Sequence, residues 1–211
     1  MSQDQTRNRR PLASRRLSVM RSTAKLLAAI GLSPNQISFA GIVFSGVAAA
    51  ALLNAPTIPL LWLVAAGLIQ LRLLANLLDG LVAVEEGRGS PTGPLWNEMP
   101  DRIEDTLIIV GFGHAIGQTD LGLWTALAAV SCAYVRMLGG ALGQQQDFAG
   151  PMAKQHRMAA LTVGCAIAFV ESLAGAEHHV AGLLLWVVLA GTLVTIVRRT
   201  WALALRLRNA E

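Results

Sequence analysis

The side chains able to do chemistry are few in this chain, and most of them fall in two short stretches. In the first, Arg72, Asn76, Asp79 and Ala83 follow one another at i, i+4, i+7 and i+11, the spacing of one helix face. In the second, Asn97, Asp101, Glu104 and Asp105 line another face. Carboxylate and amide oxygens converging from two helices are hard donors, suited to Mg²⁺, Mn²⁺ or Ca²⁺. Such an ion would attract a diphosphate and offset the cost of burying the acids. The same residues also read as an ion-pair cluster, with Arg72 on Asp101 or Asp105.

The helices that must position these groups belong to an apolar chain. Of 211 residues, 14% are charged, against about 25% in a typical soluble chain. Hydrophobic residues make up 54%, and mean hydropathy is +0.51. No charged side chain occurs in the 46 residues between Lys25 and Arg72. This composition argues against a soluble enzyme, a disordered chain or a disulfide scaffold, and predicts a multi-pass membrane protein. The expected fold class is all-α, a six-span transmembrane bundle with spans at 36–54, 57–85, 94–117, 121–143, 157–176 and 180–205. Each is about long enough to cross ~30 Å of hydrocarbon at roughly 1.5 Å per residue. Ser33 reads as the N-cap of the first span and Pro34 as its first helical residue. The second and third helices, joined by a short link, are expected to be antiparallel neighbours.

Ahead of the spans, Leu17, Met20, Ala24 and Leu27 recur at helical spacing among Arg15, Arg21 and Lys25. That pattern predicts an amphipathic helix on the cytoplasmic membrane surface. Residues 1–31 are thus read as an interfacial segment and 32–211 as the transmembrane domain. The apolar character runs on for two spans, so a cleaved signal is rejected. Fifteen of the 17 Lys and Arg residues fall on one side of the predicted topology. The other two, Arg72 and Arg136, lie inside spans. The positive-inside rule then puts both termini, and the two polar faces, on the cytoplasmic side. A pI near 9.8 is attributed to loops facing anionic lipid and not to nucleic-acid binding. Cys132 and Cys165 read as small core residues. His178 and His179 read as an exposed loop in preference to a metal pair.

The run Asn76-Leu77-Leu78-Asp79-Gly80-Leu81-Val82-Ala83-Val84, eight residues, then Gly93-Pro94-Leu95-Trp96-Asn97-Glu98-Met99-Pro100-Asp101 resembles the signature of the CDP-alcohol phosphatidyltransferase family. That signature is D-x2-D-G-x2-A-R, about eight residues, G-x3-D-x3-D. The Leu-Ser-Pro-Asn stretch at 32–35 is similar to the family's approach to its first span. Three positions depart: Asn76 stands for the first Asp, Asn97 for the third, and Val84 for the Arg. A second register takes Asp101 and Asp105 as the last pair, with Asn97 in the glycine's place.

The resemblance implies transfer of a phosphatidyl or related phosphoalcohol group from a CDP-linked lipid to a polar acceptor alcohol, with CMP released. It implies Asp101 as general base, and Asn76, Asp79, Asn97 and Asp101 as ligands of a divalent metal, Mg²⁺ or Mn²⁺. It implies Gly80, Ala83 and Gly93 as the small residues that admit the cytidine nucleotide. Two Asp-to-Asn changes reduce the site's charge, which favours one ion, or two weakly held, over two tight ones. Arg72 or Arg136 could stand in for the missing Arg. Lys154 and Arg157, opening the fifth span, read as a pocket for a phosphorylated or polar acceptor, or as ordinary positive-inside charge. A homodimer within the bilayer is also implied. Two rivals remain: a catalytically degenerate relative that binds a nucleotide-linked lipid, and a small transporter using Arg72, Asp79 and Asp101.

Overall fold

The computed structural model describes residues 18–85, 87 and 91–209. Seven helices occupy them, with no strand among the described residues: α1 (Ser18–Ala29), α2 (Pro34–Asn54), α3 (Leu60–Glu85), α4 (Gly93–Ala115), α5 (Thr119–Ala141), α6 (Lys154–Leu173) and α7 (His179–Arg208). The predicted spans agree with α2 to α7 to within a few residues. Arg88 and the residues before Ser18, including Leu17 and the basic arm, lie outside the described part.

The start of α2 follows its local chemistry. The Ser33 hydroxyl accepts from the Gln36 N–H, the Gln36 side chain accepts from the Ser33 N–H, and Pro34 occupies the first turn. This reciprocal pairing satisfies donors that a helix start otherwise leaves open.

Five helices, α2, α3, α5, α6 and α7, are long and apolar enough to cross a membrane. Much of their surface is outward-facing apolar side chains, such as Phe39, Val43 and Val47 on α2 and Leu183, Trp186 and Trp201 on α7. Helices apolar all round suit a lipid environment. The 23 residues of α4 have the length to span, at about 1.5 Å each, but carry Glu98, Asp101, Arg102, Glu104 and Asp105.

Helix α2 lies between α3 and α4 and packs heavily on both, whereas α3 and α4 touch each other little along their backbones. The expectation of α3 and α4 as simple neighbours is corrected here. Small residues on α2, Ser38, Gly41, Ser45 and Ala48, are buried and admit α2 between the other two. Long side chains then reach across. The main core gathers Leu52, Trp62, Ile69, Ile108, Phe112, Leu161 and Leu185. Helices α4 and α5 cross on glycines: a Cβ on Gly113 would stand 2.6 Å from the Cα of Gly122. Helix α1 lays Ala24 and Ala28 on Ala75, Leu78 and Val82, so at least part of its apolar face is spent on α3.

Candidate active site

The polar faces meet at the end of the bundle where α2, α4 and α6 begin and α3 ends. Arg72, wholly buried on α3, is the hub. Its Nε donates to Glu104 Oε2 at 2.5 Å and its Nη2 to Asp105 Oδ1 at 2.6 Å. Nη2 also lies 3.5 Å from Asp101 Oδ1. A guanidinium is a planar fork of donors and suits this bridging of carboxylates. One turn on, Asn76 Nδ2 donates to Asp101 Oδ1 at 2.5 Å and to Glu104 Oε2 at 3.2 Å. The ion-pair reading of Arg72 therefore holds, and Glu104 is its second anchor.

Helix α6 contributes two cations. Lys154 Nζ donates to Asp101 Oδ1, and Arg157 Nη2 donates to Asp105 Oδ2 at 3.1 Å. Arg157 also ties the preceding loop through the Met152 carbonyl at 2.9 Å. Asp101 Oδ1 is thus crowded with donors. Its Oδ2 meets only the Arg102 guanidinium, at 3.4 Å, among the described residues.

Asp79 is set apart. It is 4% exposed. Its Oδ2 accepts from the Ser38 hydroxyl at 2.6 Å, while Oδ1 is buried with no hydrogen-bond partner. Glu104 Oε1 is likewise buried and unpartnered. It faces Gly41 on α2, where a Cβ would lie 2.6 Å from Glu104 Oε1 and 3.2 Å from Asn76 Oδ1. Glycine at 41 leaves a small cradle walled by oxygen.

Of the residues expected from sequence, Arg72, Asn76, Asp79, Asp101, Lys154 and Arg157 come together. Asn97 does not join them. It is exposed in the first turns of α4, beside the equally exposed Leu95, Trp96 and Met99. Gly80, Ala83 and Gly93 are half-buried. Arg136 sits to one side, with Nη2 on Glu98 Oε2 at 2.5 Å, Nη1 on Gln146 at 2.8 Å and its guanidinium over the Phe148 ring. Ser38, Gly41 and Glu98 were not singled out from sequence. The signal for the first two was there, a serine and a glycine one turn apart in an apolar span. Arg199, counted only as positive-inside charge, is buried and bonds the carbonyls of Ala149 and Cys132, which straps residues 142–153 down. At the far end, His178 is half-buried against Trp62 while His179 is exposed beside Glu177, so they form no pair.

The donor set was weighed for a metal. No group of three or more His, Cys, Asp or Glu among the described residues is arranged to hold one. The oxygens at the cradle, Asp79 Oδ1 and Glu104 Oε1 without partners and Asn76 Oδ1 beside them, nonetheless have the chemistry that a hard divalent ion takes. Residues and ion fit, with an amide oxygen completing the set.

No protein-family model and no curated protein matches the sequence. Solved structures do. The chain is similar to phosphatidylinositol phosphate synthase of Mycobacterium tuberculosis with CDP-DAG bound, at TM-score 0.70 and 18% identity over 89% of this chain and 94% of that one. The same synthase in complex with manganese and citrate matches at TM-score 0.70 and 18% identity, over 87% and 88% of the two chains. Its apo form matches at 0.64 and 19%, over 84% and 92%. At these identities the shared property is the fold.

Proposed function

We propose that this chain is a membrane-embedded transferase that moves a phosphatidyl, or related phosphoalcohol, group from a CDP-linked lipid to an acceptor alcohol, releasing CMP. The observation that carries the reading is the convergence of Asn76, Asp79 and Asp101 at one end of a bundle whose fold is that of a synthase solved with CDP-DAG. That synthase has also been solved with manganese.

In this reading the acceptor hydroxyl oxygen attacks the β-phosphorus, the bond to CMP breaks, and the hydroxyl proton passes to Asp101. The crowding of Oδ1 by Asn76 and Lys154 fixes the carboxylate, which leaves Oδ2 as the atom that takes the proton. A divalent ion, Mg²⁺ or Mn²⁺, would be held by Asp79, Asn76 and Glu104 and would offset charge on the diphosphate. Gly80, Ala83 and Gly93 give the nucleotide room along α3 and α4. Arg136, with Glu98 and Gln146, lies where a polar acceptor would be received. Asn97 joins only as an outer contact.

The reading includes α4 as a sixth span, since its charged side chains turn to one another and not to lipid. It keeps residues 32–211 as one transmembrane domain behind an interfacial segment 1–31. It puts both termini and the site on the cytoplasmic side, and it allows a homodimer.

The buried Arg72 and the amides at 76 and 97 support a second reading, a degenerate relative that binds the nucleotide-linked lipid without turnover. Purified protein given CDP-diacylglycerol and a panel of alcohols separates the two. The expected outcome is a phospholipid product and CMP, with turnover reduced ~10²-fold or more in Asp101→Asn, about what a general base contributes. Tight binding of the CDP-lipid with no CMP from any alcohol would overturn the transferase reading in favour of the second.

A further inference from the structure

We propose that Arg72 is a resident cation, filling the place of a second divalent ion, so that the site holds one divalent ion per chain, over Gly41, between Asp79, Asn76 and Glu104. The proposal rests on the reading above only in calling the missing group a divalent metal.

The argument is one of charge and of oxygens left over. Four carboxylates stand in the cluster, Asp79, Asp101, Glu104 and Asp105. Three cations, Arg72, Lys154 and Arg157, are bonded to the last three of them. Asp105 gives one oxygen to Arg72 and the other to Arg157. Asp101 Oδ1 takes Lys154 and Asn76. Glu104 Oε2 takes Arg72 and Asn76. Only Asp79 has no ion-pair partner among the described residues, and only Asp79 and Glu104 have a buried carboxylate oxygen without a hydrogen-bond partner.

Asp79 is 4% exposed and Glu104 not at all, so solvent does not satisfy those oxygens. Both residues border the α2 seam, Glu104 at Gly41 and Asp79 at Ser38, one turn apart. One uncompensated negative charge and a set of hard oxygens match one divalent ion. A second ion would need Asp101 or Asp105, whose oxygens Lys154, Arg72 and Arg157 already hold. An arginine stays charged in any protein setting, so Arg72 cannot yield by losing its proton. The amides at 76 and 97 point the same way, since each lowers the negative charge available to hold two ions.

The test is Mn²⁺ titration of the purified full chain in lipid nanodiscs, without substrate, read by electron paramagnetic resonance. The wild type should bind one Mn²⁺ per chain with the spectrum of an isolated ion. Arg72→Met, which frees Glu104 Oε2 and Asp105 Oδ1, should raise this to two ions with a spin-coupled spectrum, while Arg72→Lys should keep one. Gly41→Ala, which sets a methyl group in the cradle, should weaken Mn²⁺ binding at least tenfold. Two ions or none in the wild type would overturn the proposal, as would unchanged Mn²⁺ affinity in Gly41→Ala. The wild-type count and Gly41→Ala decide the matter even if Arg72→Met does not fold. Failure of the functional reading looks different: one bound ion with no CMP released removes the transferase and leaves the resident cation, and two bound ions with turnover does the reverse.

Discussion

Where α3 begins, Trp62 stands edge-on to Phe112 with ring centroids 5.8 Å apart, its indole N–H reaches Ser172, and Leu52, Ile108 and Leu185 close around them. Where α3 ends, the same helices are joined by Arg72, Glu104, Asp105, Asp101 and Lys154. The first end is held by shape. In lipid there is little hydrophobic drive between helices, so its cohesion comes from close packing and a few hydrogen bonds. The second end is held by charge, in which each group is tolerable only because its partners are present. Packing of small residues degrades gradually when altered. A charge cluster fails at once when one member goes, and for the same reason it can be poised to receive an ion.

Breaking the charged end should have the largest effect on stability. Arg72→Met leaves Glu104 and Asp105 without their shared partner. We expect a loss of about 3–5 kcal/mol, the range for removing one member of a buried ion pair, measured by thermal unfolding in detergent. Added Mn²⁺ should recover part of it. A loss no larger than that of an exposed pair would mean the two ends are held alike. The packed end should respond less. Gly122→Ala forces a methyl group against Gly113 and Val110, where its Cβ would lie 3.1 Å from the Gly113 Cα. We expect about 1–3 kcal/mol, as for overpacking. The smallest effect should come from Asn97→Ala, which alters an exposed side chain and should shift stability by less than about 0.5 kcal/mol. A fall in Mn²⁺ affinity in that variant would bring Asn97 into the cradle as a ligand.

The helices were legible because each is a long apolar run ended by glycine, proline or polar residues. Ser33 and Pro34 even marked the start of α2 to the residue. The face of Arg72, Asn76 and Asp79 followed from spacing alone. What spacing could not give was which of several acids each cation would choose. Asn97 and Glu104 lie on one predicted face of α4, yet α2 packs over Glu104 and not over Asn97, and only the tertiary arrangement decides that. Gly41 escaped notice because a glycine in an apolar span usually means close helix packing. Here its missing side chain makes room for two oxygens. Arg199 was hidden by the positive-inside count, which registers a charge and says nothing about whether it faces lipid or straps a loop.

The position of Arg72 bears on how the chain is made. It stands near the middle of α3, twelve residues from Leu60 and thirteen from Glu85. Its partners Glu104 and Asp105 leave the ribosome 32 and 33 residues later. An arginine alone at the centre of a spanning helix costs about 2.5–3.5 kcal/mol to insert. During synthesis that cost stands until α4 has emerged to meet it. Helix α3 is therefore poorly suited to release into the bilayer by itself, and its integration waits on the arrival of the acidic helix, so that the two enter as a pair.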